Sequence, residues 1–168
     1  MSAATAHRVW RLPADVDTDQ LAPGSVMQFG VDVIARHCLT ALRPDFTVGV
    51  HPGDVIVAGA NFGIGSSREQ AASVLVHLGV AAVIAPSFGG LYFRNAFNVG
   101  LLLLTCTQAG TLREGECIAF DAHRGEVVGE GGAVLGCDPT PDFLLDMVEA
   151  GGLLNVLKRR FAKEAPGA

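Results

Sequence analysis

The segment Gly59-Ala-Asn-Phe-Gly-Ile-Gly-Ser-Ser-Arg-Glu69 gathers glycines, two adjacent hydroxyls and a guanidinium into one short stretch. A glycine-rich turn that feeds a helix presents unpaired backbone N–H groups at the positive end of the helix dipole, which makes an anion site. Arg68 adds a planar fork of donors matched to a carboxylate or a phosphate. Ser66 stands at the rim, where neighbouring N–H groups would hold an alkoxide or an enolate-like charge. Two readings remain open from these residues alone: an anion-binding loop, or an ordinary capped helix that carries an exposed arginine. A nucleotide phosphate loop is excluded, because no lysine follows the last glycine. The dinucleotide fingerprint is excluded too, because Gly63-Ile-Gly65 runs into Arg68 without the third glycine and the acidic residue downstream.

Two further stretches carry polar groups at unusual density. Asp15-Val-Asp-Thr-Asp19 places three carboxylates and a hydroxyl in one turn, either a solvated Asx turn or the beginning of a calcium loop without its remaining ligands. Ala85-Pro-Ser-Phe-Gly-Gly-Leu-Tyr-Phe-Arg-Asn-Ala-Phe-Asn-Val-Gly-Leu101 reads as a turn after a strand followed by an amphipathic helix.

These segments need elements to hold them. Arg8–Leu12 alternates as a short strand. Val31–Leu42 carries Val33, Ile34, His37, Cys38 and Ala41 at helical spacing, with Pro44 as its stop. After the turn Pro52-Gly53-Asp54, Val55–Ala58 is a buried strand, and Ser66 to Glu69 open a helix that reaches Leu78 and stops at Gly79. Val80–Ala85 and Leu101–Thr105 are strands, with a short helix over Leu91–Phe97 between them. Glu116–Phe120 and Glu126–Val128 form a hairpin, and helices follow over Thr140–Ala150 and from Gly152 to about Lys163. Strand and helix alternation predicts an α/β chain with a partly parallel sheet flanked by helices. Without a Pro/Ser-rich linker, the expectation is one domain over 1–168, with a core at 7–130 and C-terminal helices at 139–163.

Composition narrows the class. Apolar residues make up 49% and charged residues 17%, and mean hydropathy is +0.37, so the chain is globular with apolar surface suited to a partner. The net charge of −5, with Lys158-Arg159-Arg160 as the one basic run and the place of a charged last helical turn, argues against nucleic acid. Cys38, Cys106, Cys117 and Cys137 are far apart and include no Cys-x-x-Cys pair, so no metal or cluster site is expected in this chain. Met1–His7 lacks an apolar signal-peptide core and no stretch is long enough to span a bilayer, which predicts a cytoplasmic protein off the membrane.

Taken in order, Asp15–Pro23, Gly59–Glu69 and Ala85–Leu101 resemble the swivelling domain of the aconitase superfamily, in particular the stand-alone small subunits of 3-isopropylmalate dehydratase and homoaconitase. Leu42-Arg-Pro-Asp-Phe46, Pro52-Gly-Asp54 and the closing Pro141–Leu157 helix are similar as well, so the resemblance covers nearly the whole chain. It implies a swivelling β/β/α domain and a hydro-lyase that isomerises a hydroxy-dicarboxylic acid by dehydration and rehydration. The reaction would need an aconitase-type large subunit, in a heterodimer or heterotetramer, which carries a 4Fe–4S cluster. The resemblance makes Ser66 the base for the carbon-bound proton and Arg68 the substrate-carboxylate arginine. Ser67, Gly65, Thr18 and Asp19 then border the substrate.

Many members of the family have Cys where Ile64 stands and His where Gln70 stands, so no titrating group is available at Gln70. After Pro23 this chain reads Gly24-Ser-Val-Met-Gln-Phe-Gly30, with no cation for a third carboxylate. Val26, Met27 and Phe29 would favour an alkyl side chain, hence 2-isopropylmalate. Homoaconitase or another substituted-malate dehydratase is the first alternative, and a non-catalytic anion-binding or regulatory module is the second.

Overall fold

In the computed structural model, which describes residues 5–164, four strands run parallel side by side. They are β1 (His7–Arg11), β2 (Val55–Val57), β3 (Ala82–Ala85) and β4 (Leu102–Thr105). Their rows are aligned, with Val9 opposite Val55, Val55 opposite Ala82 and Ala82 opposite Leu102. β2 and β3 are buried along their whole length, as central parallel strands must be when both faces are covered. β5 (Cys117–Asp121) pairs antiparallel with the outer edge of β1, and β6 (Glu126–Val128) and β7 (Val134–Gly136) extend the sheet as a meander. The result is a mixed seven-stranded sheet in the order β4-β3-β2-β1-β5-β6-β7. The termini of the expected 1–168 domain, including most of the Met1–His7 segment, lie outside the described residues.

The crossovers are helical. α1 (Thr18–Leu21), α2 (Val31–His37) and α3 (Phe46–Gly49) join β1 to β2, α4 (Gln70–His77) joins β2 to β3, and α5 (Gly90–Val99) joins β3 to β4. α6 (Asp142–Ala150) and α7 (Leu153–Glu164) close the chain and pack on α5, while α4 lies between α2 and α5. No helix among the described residues is long and apolar enough to cross a membrane. The helical stretch expected over Val31–Leu42 stops early. Leu39, fully buried, takes φ +60 and donates its N–H to Gln20 O at 2.8 Å, so burial of this leucine against α1 ends α2 well before Pro44.

Asp54, 6% exposed just before β2, anchors the end of the sheet where β2 begins. Its Oδ2 accepts from Trp10 Nε1 at 2.8 Å, His51 N–H at 2.9 Å and Arg8 Nη2 at 2.6 Å. Arg8 and Arg43 lie over the Trp10 ring at 5.0 and 4.8 Å from its centroid. Burial pushes the Asp54 carboxyl up, but the hydrogen bonds from Arg8, Trp10 and His51 outweigh it and hold the group below its ordinary value. The resulting stability is fully present above the unfolded-state pKa and is lost as pH falls through the lowered folded-state value. The Arg8 side chain is 38% exposed, so solvent screens the ion pair and the two N–H bonds carry the larger share. Asp54→Asn is expected to cost roughly 2 kcal/mol at pH 7. It should also flatten the loss of stability on the acid side. Urea unfolding between pH 7 and pH 3 measures both, and parallel acid limbs for the two proteins would contradict the assignment.

Candidate functional site

Three connections leave the carboxyl ends of β1, β2 and β3 and converge there, the place where open parallel sheets bind ligands. Short parallel bridges stitch them together, Asp17 with Ile64 and Phe62 with Phe88. The connection after β1 is fixed by a capping box, in which the Asp17 side chain accepts from Gln20 N–H while Gln20 Oε1 accepts from Asp17 N–H. This sets Thr18 as the first residue of α1, 2% exposed. Asn61 is held at φ +61 by Asp15 Oδ1, which takes its Nδ2 at 2.8 Å, and by Ser87 Oγ, which takes its N–H at 2.9 Å.

The glycine-rich stretch is not a helix opening. α4 begins at Gln70, and Ser66, Ser67 and Arg68 lie in irregular backbone ahead of it. The reason is tertiary. Thr18 N–H donates to Ile64 O at 2.9 Å, and Ser66 N–H donates to Thr18 Oγ1 at 3.0 Å, which pulls the chain out toward α1. Gly65 makes this approach possible at φ +107, and a Cβ there would stand 3.0 Å from Thr18 Oγ1.

Around Ser66 the side chains form one cluster. Arg68 Nε donates to Ser66 Oγ at 2.7 Å, and Arg68 Nη1 donates to Ala22 O at 2.8 Å and Asp19 Oδ1 at 3.1 Å. Thr18 Oγ1 lies 3.4 Å from Ser66 Oγ. Asp19 Oδ1 also accepts from Gly24 N–H at 2.9 Å. That backbone hydrogen bond, and then Arg68, hold the Asp19 carboxyl below its ordinary value, so it remains anionic. Arg68 is thereby held through Nε and Nη1, while its Nη2 has no partner among the described residues. The same holds for the N–H groups of Ser67 and Glu69, which precede α4. A serine oxygen that accepts from a guanidinium, beside open donors at a helix start, is equipped to hold negative charge and to bind a carboxylate.

The expected residues are thus partly united. Ser66, Arg68, Thr18, Asp19 and Gly65 meet at one point. Ser67 is exposed and its carbonyl accepts from Asn95 Nδ2 at 2.9 Å. Within Gly24–Gly30, Gly24 N–H donates to Asp19, but Val26 is turned into the core at 9% exposed, which removes it from the substrate-facing set. Its place in a 3-10 turn over Gly24–Val26 explains that inward orientation. Met27 is half-buried and Phe29 is 51% exposed. Asn95, which donates to Ser67 O, and Tyr92, buried beneath Gly63, also adjoin this loop. Their helical spacing with Ala96, on the inward face of α5, was the sequence signal for them. Among the described residues no three His, Cys, Asp or Glu side chains gather as a metal would require.

Comparison with known proteins gives concordant matches. The model of the family described as the aconitase C-terminal domain matches residues 46–109. Methanogen homoaconitase small subunit of Methanothermobacter thermautotrophicus is 41% identical over 157 residues, 92% of this chain and 91% of that protein. The 3-isopropylmalate dehydratase small subunit of Sulfurimonas denitrificans is 39% identical over 150 residues, 88% and 90% of the two chains. The crystal structure of 3-isopropylmalate dehydratase from Methanocaldococcus jannaschii superposes with a TM-score of 0.89 at 34% identity, covering 97% of this chain and 98% of that one.

Proposed function

Because this chain belongs to the family of small subunits built on the aconitase C-terminal domain, we propose that it is the small subunit of a hydro-lyase that acts on a substituted malate, with 2-isopropylmalate as the preferred substrate. The observation that carries the reading is the Ser66–Arg68 pair, in which the serine oxygen accepts a 2.7 Å hydrogen bond from a guanidinium that keeps Nη2 free. Ser66 Oγ takes the carbon-bound proton and returns it, and the Arg68 hydrogen bond lowers the cost of the alkoxide that does so. Arg68 Nη2 and the open N–H groups of Ser67 and Glu69 bind the adjacent carboxylate. An aconitase-type large subunit is the partner, in a heterodimer or heterotetramer. A 4Fe–4S cluster on it would supply Lewis acidity toward the leaving hydroxyl. The described residues of this chain offer no ligand set for that cluster.

Similarity to both a homoaconitase and an isopropylmalate dehydratase subunit leaves the substrate's variable end to be read from the chain itself. Gly24–Gly30 has no Lys or Arg, and Met27 and Phe29 offer apolar surface. A third carboxylate would be desolvated there without a partner, whereas each methylene of an alkyl group gains about 1–3 kcal/mol. Reconstituted with its large subunit, the wild type should therefore show higher kcat/KM on 2-isopropylmalate than on homoisocitrate, and Met27→Arg should narrow or reverse the gap. A wild-type preference for homoisocitrate would overturn the substrate assignment. Absence of turnover on either, with tight dicarboxylate binding retained, would make the chain a binding module.

A further inference from the structure

We propose that Thr18 is a positioning residue whose hydroxyl donates to Ser66 Oγ and so sets the basicity of that oxygen. The inference rests on the reading of Ser66 as a base. Thr18 is 2% exposed, too buried to serve as a substrate contact. Its hydroxyl oxygen already accepts from Ser66 N–H at 3.0 Å, and its own N–H donates to Ile64 O at 2.9 Å, so one residue holds the chain on both sides of Gly65. The remaining capacity of that hydroxyl is its proton. The acceptor the structure provides for it is Ser66 Oγ, 3.4 Å away. In the neutral state either oxygen is able to donate to the other. Once Ser66 has lost its proton, Thr18 alone is able to donate. The bond then shortens toward ordinary O–H···O⁻ length, and the alkoxide is held by two donors, Thr18 Oγ1 and Arg68 Nε.

The arrangement separates the tasks of the two donors. Arg68 reaches outward and also serves the substrate, so its loss changes binding and chemistry together. Thr18 faces inward, so its loss acts on the Ser66 N–H and the serine oxygen and leaves the substrate-facing donors in place. A purely architectural threonine would contribute its methyl, its shape and the acceptor that holds Ser66 N–H, and its loss would slow labelling without moving the pH dependence. A donor contributes its hydroxyl, which serine retains and valine lacks.

Two experiments on the full-length chain use that difference. In the first, the isolated protein is treated with a small aromatic sulfonyl fluoride across pH 6–10, and modification of Ser66 is followed by mass spectrometry. Sulfonylation at Ser66 should depend on its deprotonation. Thr18→Val should lower the labelling rate about 10- to 100-fold, the range expected for one lost hydrogen bond to a charged group. It should also move the pH dependence to higher pH, while Thr18→Ser stays within about threefold of wild type. In the second, the complex with the large subunit should show kcat reduced by Thr18→Val with KM nearly unchanged, again rescued by Thr18→Ser. Should Thr18→Val fail to fold, Thr18→Cys, whose thiol is a weak donor, is read in its place. An unchanged pH profile in Thr18→Val, whatever its labelling rate, would overturn the proposal, as would failure of Thr18→Ser to rescue, or absence of Ser66 labelling in wild type. A complex with no turnover, in which Ser66 is nevertheless labelled in the expected order, would leave the Thr18 inference standing and refute the dehydratase reading.

Discussion

Replacing Ser66 by alanine should lower turnover of the reconstituted complex by about 10²- to 10⁴-fold, the usual worth of a positioned general base, while KM changes by no more than about threefold. The asymmetry follows from geometry. Ser66 Oγ is an acceptor for Arg68 Nε at 2.7 Å, and the donors proposed to bind the carboxylate are Arg68 Nη2 and the backbone N–H groups ahead of α4, none of which alanine removes. The backbone itself is held through Ser66 N–H to Thr18 Oγ1, a bond that alanine keeps. The loop should therefore remain in place with its proposed proton acceptor missing. Steady-state kinetics on the preferred dicarboxylate, with thermal unfolding as a control, gives the answer. Near-normal kcat in Ser66→Ala would move the base to another residue or to the large subunit.

Gly63→Ala should be the most damaging change to the loop that leaves its chemistry-bearing residues intact. Gly63 sits at φ +80, where an L side chain is strained by about 1–2 kcal/mol. A Cβ would stand 2.2 Å from Tyr92 Cγ and 2.5 Å from Cδ1. Tyr92 cannot yield cheaply, because it is 2% exposed, packs edge-on to Phe62 at 5.4 Å, and donates its hydroxyl to Ala71 O at 3.2 Å. Overpacking adds about 1–3 kcal/mol more. The sum, about 3 kcal/mol, lowers the thermal midpoint by about 6–12 °C in a chain of this size. Scanning calorimetry measures it, and a midpoint within 2 °C of wild type, on the order of the shift expected from 1 kcal/mol, would show that Tyr92 is free to move.

The central parallel strands were legible because full burial writes them as unbroken runs such as Val55-Ile-Val57 and Ala82-Val-Ile-Ala85, set off by Pro-Gly and Gly signals. The helix start at Ser66 was not legible, although a serine followed by an acid is sound capping chemistry. The competing partner, Thr18, lies 48 residues earlier, and its contacts with Ile64 and Ser66 displace the start to Gln70. A similar long-range contact, Leu39 with Gln20, cut short α2 where the local pattern continued to Ala41. Short elements such as α1, α3 and β7 have too few residues to show a period. Composition marked Met27 and Phe29 as apolar, but the inward turn of Val26 depends on a local 3-10 geometry that the alternation of residue types does not announce.

The surroundings of Trp10 bear on how this protein is seen optically. The chain has one tryptophan and one tyrosine, and the structure puts them in opposite neighbourhoods. Trp10 is enclosed by Arg8, Arg43, Phe46 and Asp54 near the start of β2, whereas Tyr92 lies beneath the loop that leaves its far end. Indole emission is therefore expected to report packing at that end of the sheet rather than occupancy of the loop. Quenching or a colour shift of that emission signals loss of the fold. Occupancy has to be read at Tyr92, in its near-ultraviolet dichroism or through an isotopic label on its ring.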